Sequence, residues 1–397
     1  MSIIKGIIIT GTSGSGKTVL ARGLQEENPQ YEMIQAITTR EPRDDDENHY
    51  IYINDLDFEK SRKTFFSVAT YRNAKYAYGQ FEISQAFSEG KIPILLVSPE
   101  SFSAMKKEES QGDRTGDNSL EGFISFFIDA NDDELDRRLI NRDGKRITDD
   151  DKKRRCDDRQ FSDSPDYIIQ NLVLKDTIAI VDKLVELYGV STALSEKEID
   201  LFIRNGMLIS GAEKNNIKGA SYDLRLGDEY YYRGEIMKLE DKNLRLTIEP
   251  YDYALVSSKE EICLPKDVIA HFGLTVGLFC QGIILSNGQQ VDPGFRGRLF
   301  CLLFNTSNQA VTIKRGAHYA TIEFAKMHNF ARNYNGRYQE KRDIIDVLPA
   351  NAMQGGMSEL KREIEELKYE SRNMQSIYIS VIAIIFAAIS ILLILNN

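Results

Sequence analysis

The chain has 397 residues, 42% hydrophobic and 28% charged, which is ordinary for a globular protein and argues against global disorder. Its formal net charge of −10 leaves no overall basic footprint for a nucleic-acid duplex, so nucleic acid is not an expected partner and small anions must be met by local cationic sites. Cys156, Cys263, Cys280 and Cys301 lie far apart with no CxxC pair, and the four histidines show no zinc spacing, so a disulfide framework is excluded and a reducing cytoplasm fits.

A chain of this length predicts two domains plus extras. The opening "MSIIKGIIIT" is too short for a signal peptide and runs straight into a glycine loop, so it reads as a buried strand. Across residues 1–189, strand-like runs ("KGIIIT", "KIPILLVS", "GFISFFIDA", "DYIIQN") alternate with helical periodicity ("TVLARGLQEE", "DDELDRRLINR", "TIAIVDKLVELY"). That alternation predicts an α/β domain on a parallel sheet. Within it, the polar "KKEESQGDRTGDNS" predicts a mobile loop. Residues 194–345 hold one helix and then many short strands broken by Gly, Asn, Asp and Pro, which predicts an all-β barrel or sandwich. Residues 346–376 read as a linker with a short heptad helix, and 377–395 as an apolar helix.

The first strand leads into Gly11-Thr12-Ser13-Gly14-Ser15-Gly16-Lys17-Thr18 and then a helix, the context a P-loop requires. The glycines let backbone N–H groups curl around a β-phosphate. Lys17 would neutralise the β/γ oxygens of ATP, and the Thr18 hydroxyl would help to hold Mg²⁺. "TTREPR" (38–43), "YIY" (50–52) and "YAYG" (76–79) follow. With the P-loop, these segments resemble the guanylate kinase family over about residues 1–189. The resemblance implies that Arg40, Arg43, Tyr50 and Tyr78 grip the phosphate of an acceptor nucleoside monophosphate. Guanidinium forks match phosphate, and phenols add neutral donors.

Further along, "RRLINRDGKR" and "DKKRRCDDRQ" resemble that family's lid, which carries arginines onto the transferring phosphoryl group. Arg142 and Arg155 are the first candidates, with Arg138 and Arg154 as alternatives, and a solvated helix face is the competing reading of these charges. The family's guanine-reading acceptors are absent. Ala36 or Ile37 stands for the serine, Ser67 or Ala69 for the glutamate, and Leu96 and Ser98 where aspartates belong. Guanine N–H donors left without acceptors would cost about 1–3 kcal/mol each, so the acceptor is not expected to be guanine-selective.

In the second block, "SYDLRLG" (221–227) and "VDPGFRG" (291–297) together resemble dCTP deaminases and their dUTPase relatives. The resemblance implies a β jelly roll that forms a homotrimer, with nucleotide sites between subunits. Asp292 takes the position of the carboxylate near the sugar and attacking water, Asp223 that of the aspartate serving metal and triphosphate, and Phe295 the aromatic slot under the deoxyribose. Leu302 stands where the deaminase glutamate belongs, and Leu274-Thr275-Val276-Gly277 where a phosphate-binding turn should carry an arginine and serines. Leucine moves no proton, so deamination is not expected.

The run Ile377–Leu395 carries no charge and approaches the ~20 residues that a spanning helix requires. Only Asn396 and Asn397 follow it, which resembles a C-terminal tail anchor. Lys361, Arg362, Lys368 and Arg372 precede it and place the globular domains in the cytoplasm. Leu360, Ile364, Leu367 and Met374 form a short heptad stripe, suited to a three-helix neck below a trimer. The expectation for the whole is a membrane-anchored enzyme that transfers phosphoryl from ATP, with Mg²⁺, to a nucleoside monophosphate-like acceptor. The alternative is a membrane effector whose two domains sense nucleotides without efficient catalysis.

Overall fold

The computed structural model describes residues 4–42, 50–71, 74–111, 119–144, 147–240, 244–288, 290–348 and 357–395. Five parallel strands form the first sheet, in the order Tyr31–Met33, Ile92–Leu96, Gly6–Gly11, Phe123–Asp129 and Tyr167–Gln170. The central strand is buried at every position because it is covered on both faces, as parallel sheets require. Ile7 and Ile9 pack with Leu20, Leu24, Ile178 and Val181 from helices Lys17–Glu27 and Leu174–Glu186. Ile8 points the other way, towards Ile83, Ala86, Phe102 and Met105 of helices Gln80–Ser88 and Pro99–Gln111.

A second sheet of four strands runs Tyr50–Tyr52, Ala36–Thr38, Ala74–Gly79, Phe65–Tyr71 and stands over the cleft above the parallel sheet. The loop expected over "KKEESQGDRTGDNS" needs correction in its first part. Lys106–Gln111 complete helix Pro99–Gln111, because buried Phe102 and Met105, three residues apart, anchor that helix before its charged turns. Residues 112–118 lie outside the described residues.

From Thr192 the chain is β-rich, apart from the helix Glu196–Arg204 and the short turn of helix Val276–Phe279. Its main sheet centres on the long strand Ser221–Tyr232. That strand pairs with His318–Lys326 through its first half and with Tyr253–Cys263 through its second, changing partner across two register shifts. Strand Arg296–Asn305 alternates exposed or half-buried with buried positions, the period-2 signature of a sheet with one covered face.

The two domains share one core. Tyr167, on the edge strand of the parallel sheet, stacks on Phe126 at 5.6 Å and meets Phe330 of the β-rich domain edge-on at 5.4 Å. Its hydroxyl donates to Asp267, which also pairs with Lys326 Nζ at 2.7 Å. The Asp267 and Lys326 side chains are each only 2% exposed. Burial pushes the Asp267 carboxyl up, against the pull of Lys326 and Tyr167. Beside this pair, Lys266 Nζ donates to Asp163 O at 2.5 Å and to Pro165 O at 2.7 Å.

After Leu348 the described chain resumes as a single helix, Met357–Leu395, so the heptad stripe and the apolar run are continuous. At 1.5 Å per residue it extends about 58 Å. The stretch Arg362–Ile389 holds an apolar window long enough to cross a membrane by length and composition, with none of it buried against the rest of the protein.

Breaking the buried pair at the joint should be costly. Lys326→Met strands the Asp267 carboxylate and should lower unfolding free energy by about 3–5 kcal/mol in urea denaturation, whereas adding Asp267→Asn should restore much of the loss.

Candidate functional site

The glycine loop owes its shape to positions that only glycine fills without strain. Gly14 and Gly16 sit at φ 85° and 90°, in the left-handed region. At Gly11, φ is 144° and a Cβ would lie 2.0 Å from Ile128 O on the neighbouring strand. The loop is pinned from behind. Thr12 Oγ1 donates to Asp129 Oδ1 at 2.8 Å. Ser15 O accepts from Asn171 Nδ2 at 2.7 Å and from Arg138 at 3.1 Å. Lys17 Nζ bridges Gly11 O and Thr12 O at 2.9 and 2.8 Å. Ser15 Oγ is buried and has no hydrogen-bond partner among the described residues. Backbone donors, an ammonium and a spare hydroxyl around a cradle that no Cβ invades suit a bound phosphate chain.

This loop opens into a cleft of ≈ 470 Å³, which Lys17, Thr18, Arg40, Tyr50, Tyr78, Arg154 and Asp158 help to line. The Arg40 guanidinium lies 4.8 Å from the centroid of the Tyr50 ring. Its loop is held by the bond from Arg40 N to Thr38 Oγ1 at 3.1 Å. Arg43 and the side chain of Arg142 lie outside the described residues.

The remaining expected ligands are placed differently. Tyr78 reaches the cleft wall, but its hydroxyl donates to Leu96 O at 2.7 Å and accepts from Leu96 N at 2.8 Å. It ties the small sheet to the parallel sheet instead of standing ready for a phosphate. Arg155 needs correction as a lid cation aimed at the phosphates. Its side chain is 3% exposed and pairs with Asp136 at 2.5 Å. Arg138 is spent on Glu134, Ser15 O and Asn171 O. Arg154 is the lid arginine on the cleft wall.

The cleft is also lined by Met33, Ile34, Ala36, Ser67, Ala69, Ser98, Ser101 and Met105. Of the paired alternatives, Ala36, Ser67, Ala69, Leu96 and Ser98 all face it, and Ile37 does not. Ser98 and Ser101 share a hydrogen bond at 2.6 Å. Asp158 is the only carboxylate among the described lining residues.

Two acidic residues at the loop escaped the sequence reading. Asp129 ends its strand under Thr12 and pairs with Arg159 Nε at 2.9 Å. Asp158, on the lid helix Asp149–Arg159, accepts a bond from Ser13 N at 3.0 Å. Burial pushes the Asp158 carboxyl up, while Lys17 and the Ser13 N–H hold it down.

In the β-rich domain, Asp292 is exposed and accepts from Gln290 Nε2 at 2.9 Å. Asp223 accepts from Thr321 Oγ1 at 2.9 Å and lies 3.8 Å from Lys218 Nζ. No hydrogen bond or ion pair joins the two aspartates among the described residues. Phe295 is 7% exposed and packs edge-on against Tyr334 at 5.6 Å, so its ring belongs to the core and not to an open sugar platform. Leu302 lies in register between Leu255 and Ser286. The turn at 274–277 leads into helix Val276–Phe279, whose Val276 and Phe279 are 74% and 68% exposed.

Comparison with known proteins resolves the two halves. Residues 4–188 match the guanylate kinase family model, and residues 193–327 match the dCTP deaminase-like model. The dCTP deaminase of Thermococcus kodakarensis is 38% identical over 146 residues, covering 36% of this chain and 93% of that protein. That of Pyrococcus furiosus is 36% identical over 141 residues, covering 35% and 89%. Among solved structures, guanylate kinase from Anaplasma phagocytophilum gives a TM-score of 0.36 at 15% identity, covering 47% of this chain and 86% of that one. The chain therefore belongs, through residues 193–327, to the dCTP deaminase family, and its residues 4–188 form a guanylate kinase-like domain.

Proposed function

We propose that the guanylate kinase domain transfers a phosphoryl group from ATP to a nucleoside monophosphate-like acceptor, and that a trimeric, non-deaminating β-rich domain carries it at a membrane. The observation that carries this reading is the cleft itself, which Lys17, the glycine loop and Arg40 all line. Bound ATP supplies the γ-phosphoryl, and Mg²⁺ supplies charge neutralisation that Thr18 is placed to anchor. The residues of the chain then bind and orient. Loop N–H groups and Lys17 hold the donor phosphates, Arg40 holds the acceptor phosphate, and Arg154 brings a further cation to the cleft from the lid.

The cleft lining favours an acceptor other than GMP. Hydroxyls of Ser67, Ser98 and Ser101 each offer one donor and two acceptor lone pairs but no charge, whereas guanine's donor edge is best met by carboxylates. In the second domain, Leu302 in place of a proton-moving glutamate argues against deamination. A second reading, a nucleotide sensor, is favoured by one observation: Asp158 stands in the phosphate cradle, which suits regulated binding better than rapid turnover. The apolar window within Arg362–Ile389, unburied against the rest of the protein, supports anchoring in either reading.

Three outcomes are expected. Labelled ATP screened against the common ribo- and deoxynucleoside monophosphates should phosphorylate at least one of them, and Lys17→Ala should abolish transfer. A preference for GMP of ~100-fold, about 2.7 kcal/mol, would mean that a guanine reader exists elsewhere. Incubation with dCTP should release no ammonia, and release would restore a proton shuttle to the second domain. Truncation before Ile377 should move the protein to the soluble fraction while sedimentation still reports a trimer. A soluble full-length protein would remove the anchor, and a monomeric truncation would assign assembly to the helix.

A further inference from the structure

The lid of the kinase domain closes on the glycine loop with a negative charge. Arginines are the groups expected there, yet the contact is made by Asp158, whose Oδ2 accepts the Ser13 N–H at 3.0 Å. Ser13 N belongs to the ring of donors that would face a phosphate chain. The same carboxylate feels the Lys17 ammonium, and it forms part of the cleft wall with Lys17 and Ser13. A carboxylate offers the same chemistry as a phosphate edge, namely anionic oxygens that accept N–H bonds.

Ion pairs and a hydrogen bond from Arg155 and Arg159 hold the lid helix in this position. Arg159, the next residue, bonds Asp129 Oδ2 and Asp132 Oδ1, both at 2.9 Å, and donates to Ala130 O at 3.0 Å. Arg155, one turn earlier, is buried against Asp136. Asp129 in turn accepts the Thr12 hydroxyl, so the latch and the loop share a carboxylate.

We propose that Asp158 is an intramolecular occupant of the phosphate cradle: the lid holds the glycine loop shut with its own carboxylate, and a nucleoside triphosphate must displace it to bind. This rests on the reading of the loop as a triphosphate site. Two anions cannot share one set of donors, because close like charges in a partly desolvated cleft repel strongly. Triphosphate binding is therefore coupled to release of the lid helix, and the Arg159–Asp129 latch sets how readily it lets go.

The test is calorimetric titration of the full chain in detergent with the Mg²⁺ complex of a non-hydrolysable ATP analogue. The parent, Asp158→Ala, Asp158→Asn and Arg159→Ala are compared, with Lys17→Ala as the loss-of-binding control. Removing the carboxylate should tighten binding about tenfold. The Asn variant, which keeps an acceptor but loses the charge, should fall between, and unlatching through Arg159→Ala should shift affinity in the same direction. Equal or weaker binding by both Asp158 variants overturns the proposal and makes Asp158 a bystander or a ligand of the bound nucleotide. If no form binds the analogue, the triphosphate reading of the loop falls as well, an outcome distinct from equal binding by all.

Discussion

A carboxylate and an ammonium, each 2% exposed, meet where the two domains join. Taking Asp267 and Lys326 out of water is costly for each, and only their contact, together with the Tyr167 hydroxyl, offsets it. Both belong to the β-rich domain, so the Tyr167 hydroxyl, which donates to Asp267 from the edge of the parallel sheet, is the polar link from this pair to the other domain. Around it the packing is continuous. Tyr167 stacks on Phe126 within the kinase domain and touches Phe330 from the deaminase-family domain. The domains are joined through a core and not through a tether.

That joint is linked through backbone to the lid helix of one domain and to the Asp292 turn of the other. The lid helix ends at Arg159, and the segment after it gives the carbonyls of Asp163 and Pro165 to Lys266. The next residue back, Pro265, accepts the N–H of Gly294 in the turn that follows Asp292. A short run of backbone thus connects the lid of one domain to the motif turn of the other. The arginines of the lid region follow the same structural logic. Arg138, Arg155 and Arg159 are engaged in holding the glycine loop and lid together, which leaves Arg154 on the cleft wall.

What was legible in the sequence was local. The glycine loop, its strand and its helix are contiguous, and each glycine has a backbone reason to be there. Leu302 could be read by counting from the Asp-Pro-Gly turn, because strand register is strict. The rest depended on contacts distant in the chain. Asp158 touches a residue 145 positions away, and nothing about "CDDRQ" announces it. Arg154 and Arg155 are neighbours, yet one residue of helix is about 100° of rotation, which separates the cleft from the core. Lys326 and Asp267 look like surface charges until the fold pairs them. The charged end of helix Pro99–Gln111 was masked by its own composition, since its apolar anchors lie upstream.

Scanning calorimetry of the full chain in detergent, with and without the Mg²⁺ complex of a non-hydrolysable ATP analogue, tests this account most directly. If the kinase and deaminase-family domains share one core, they unfold in a single transition, and a ligand held by the glycine loop moves that whole transition to higher temperature. Two separate transitions, only one of them shifted by the nucleotide, would contradict it.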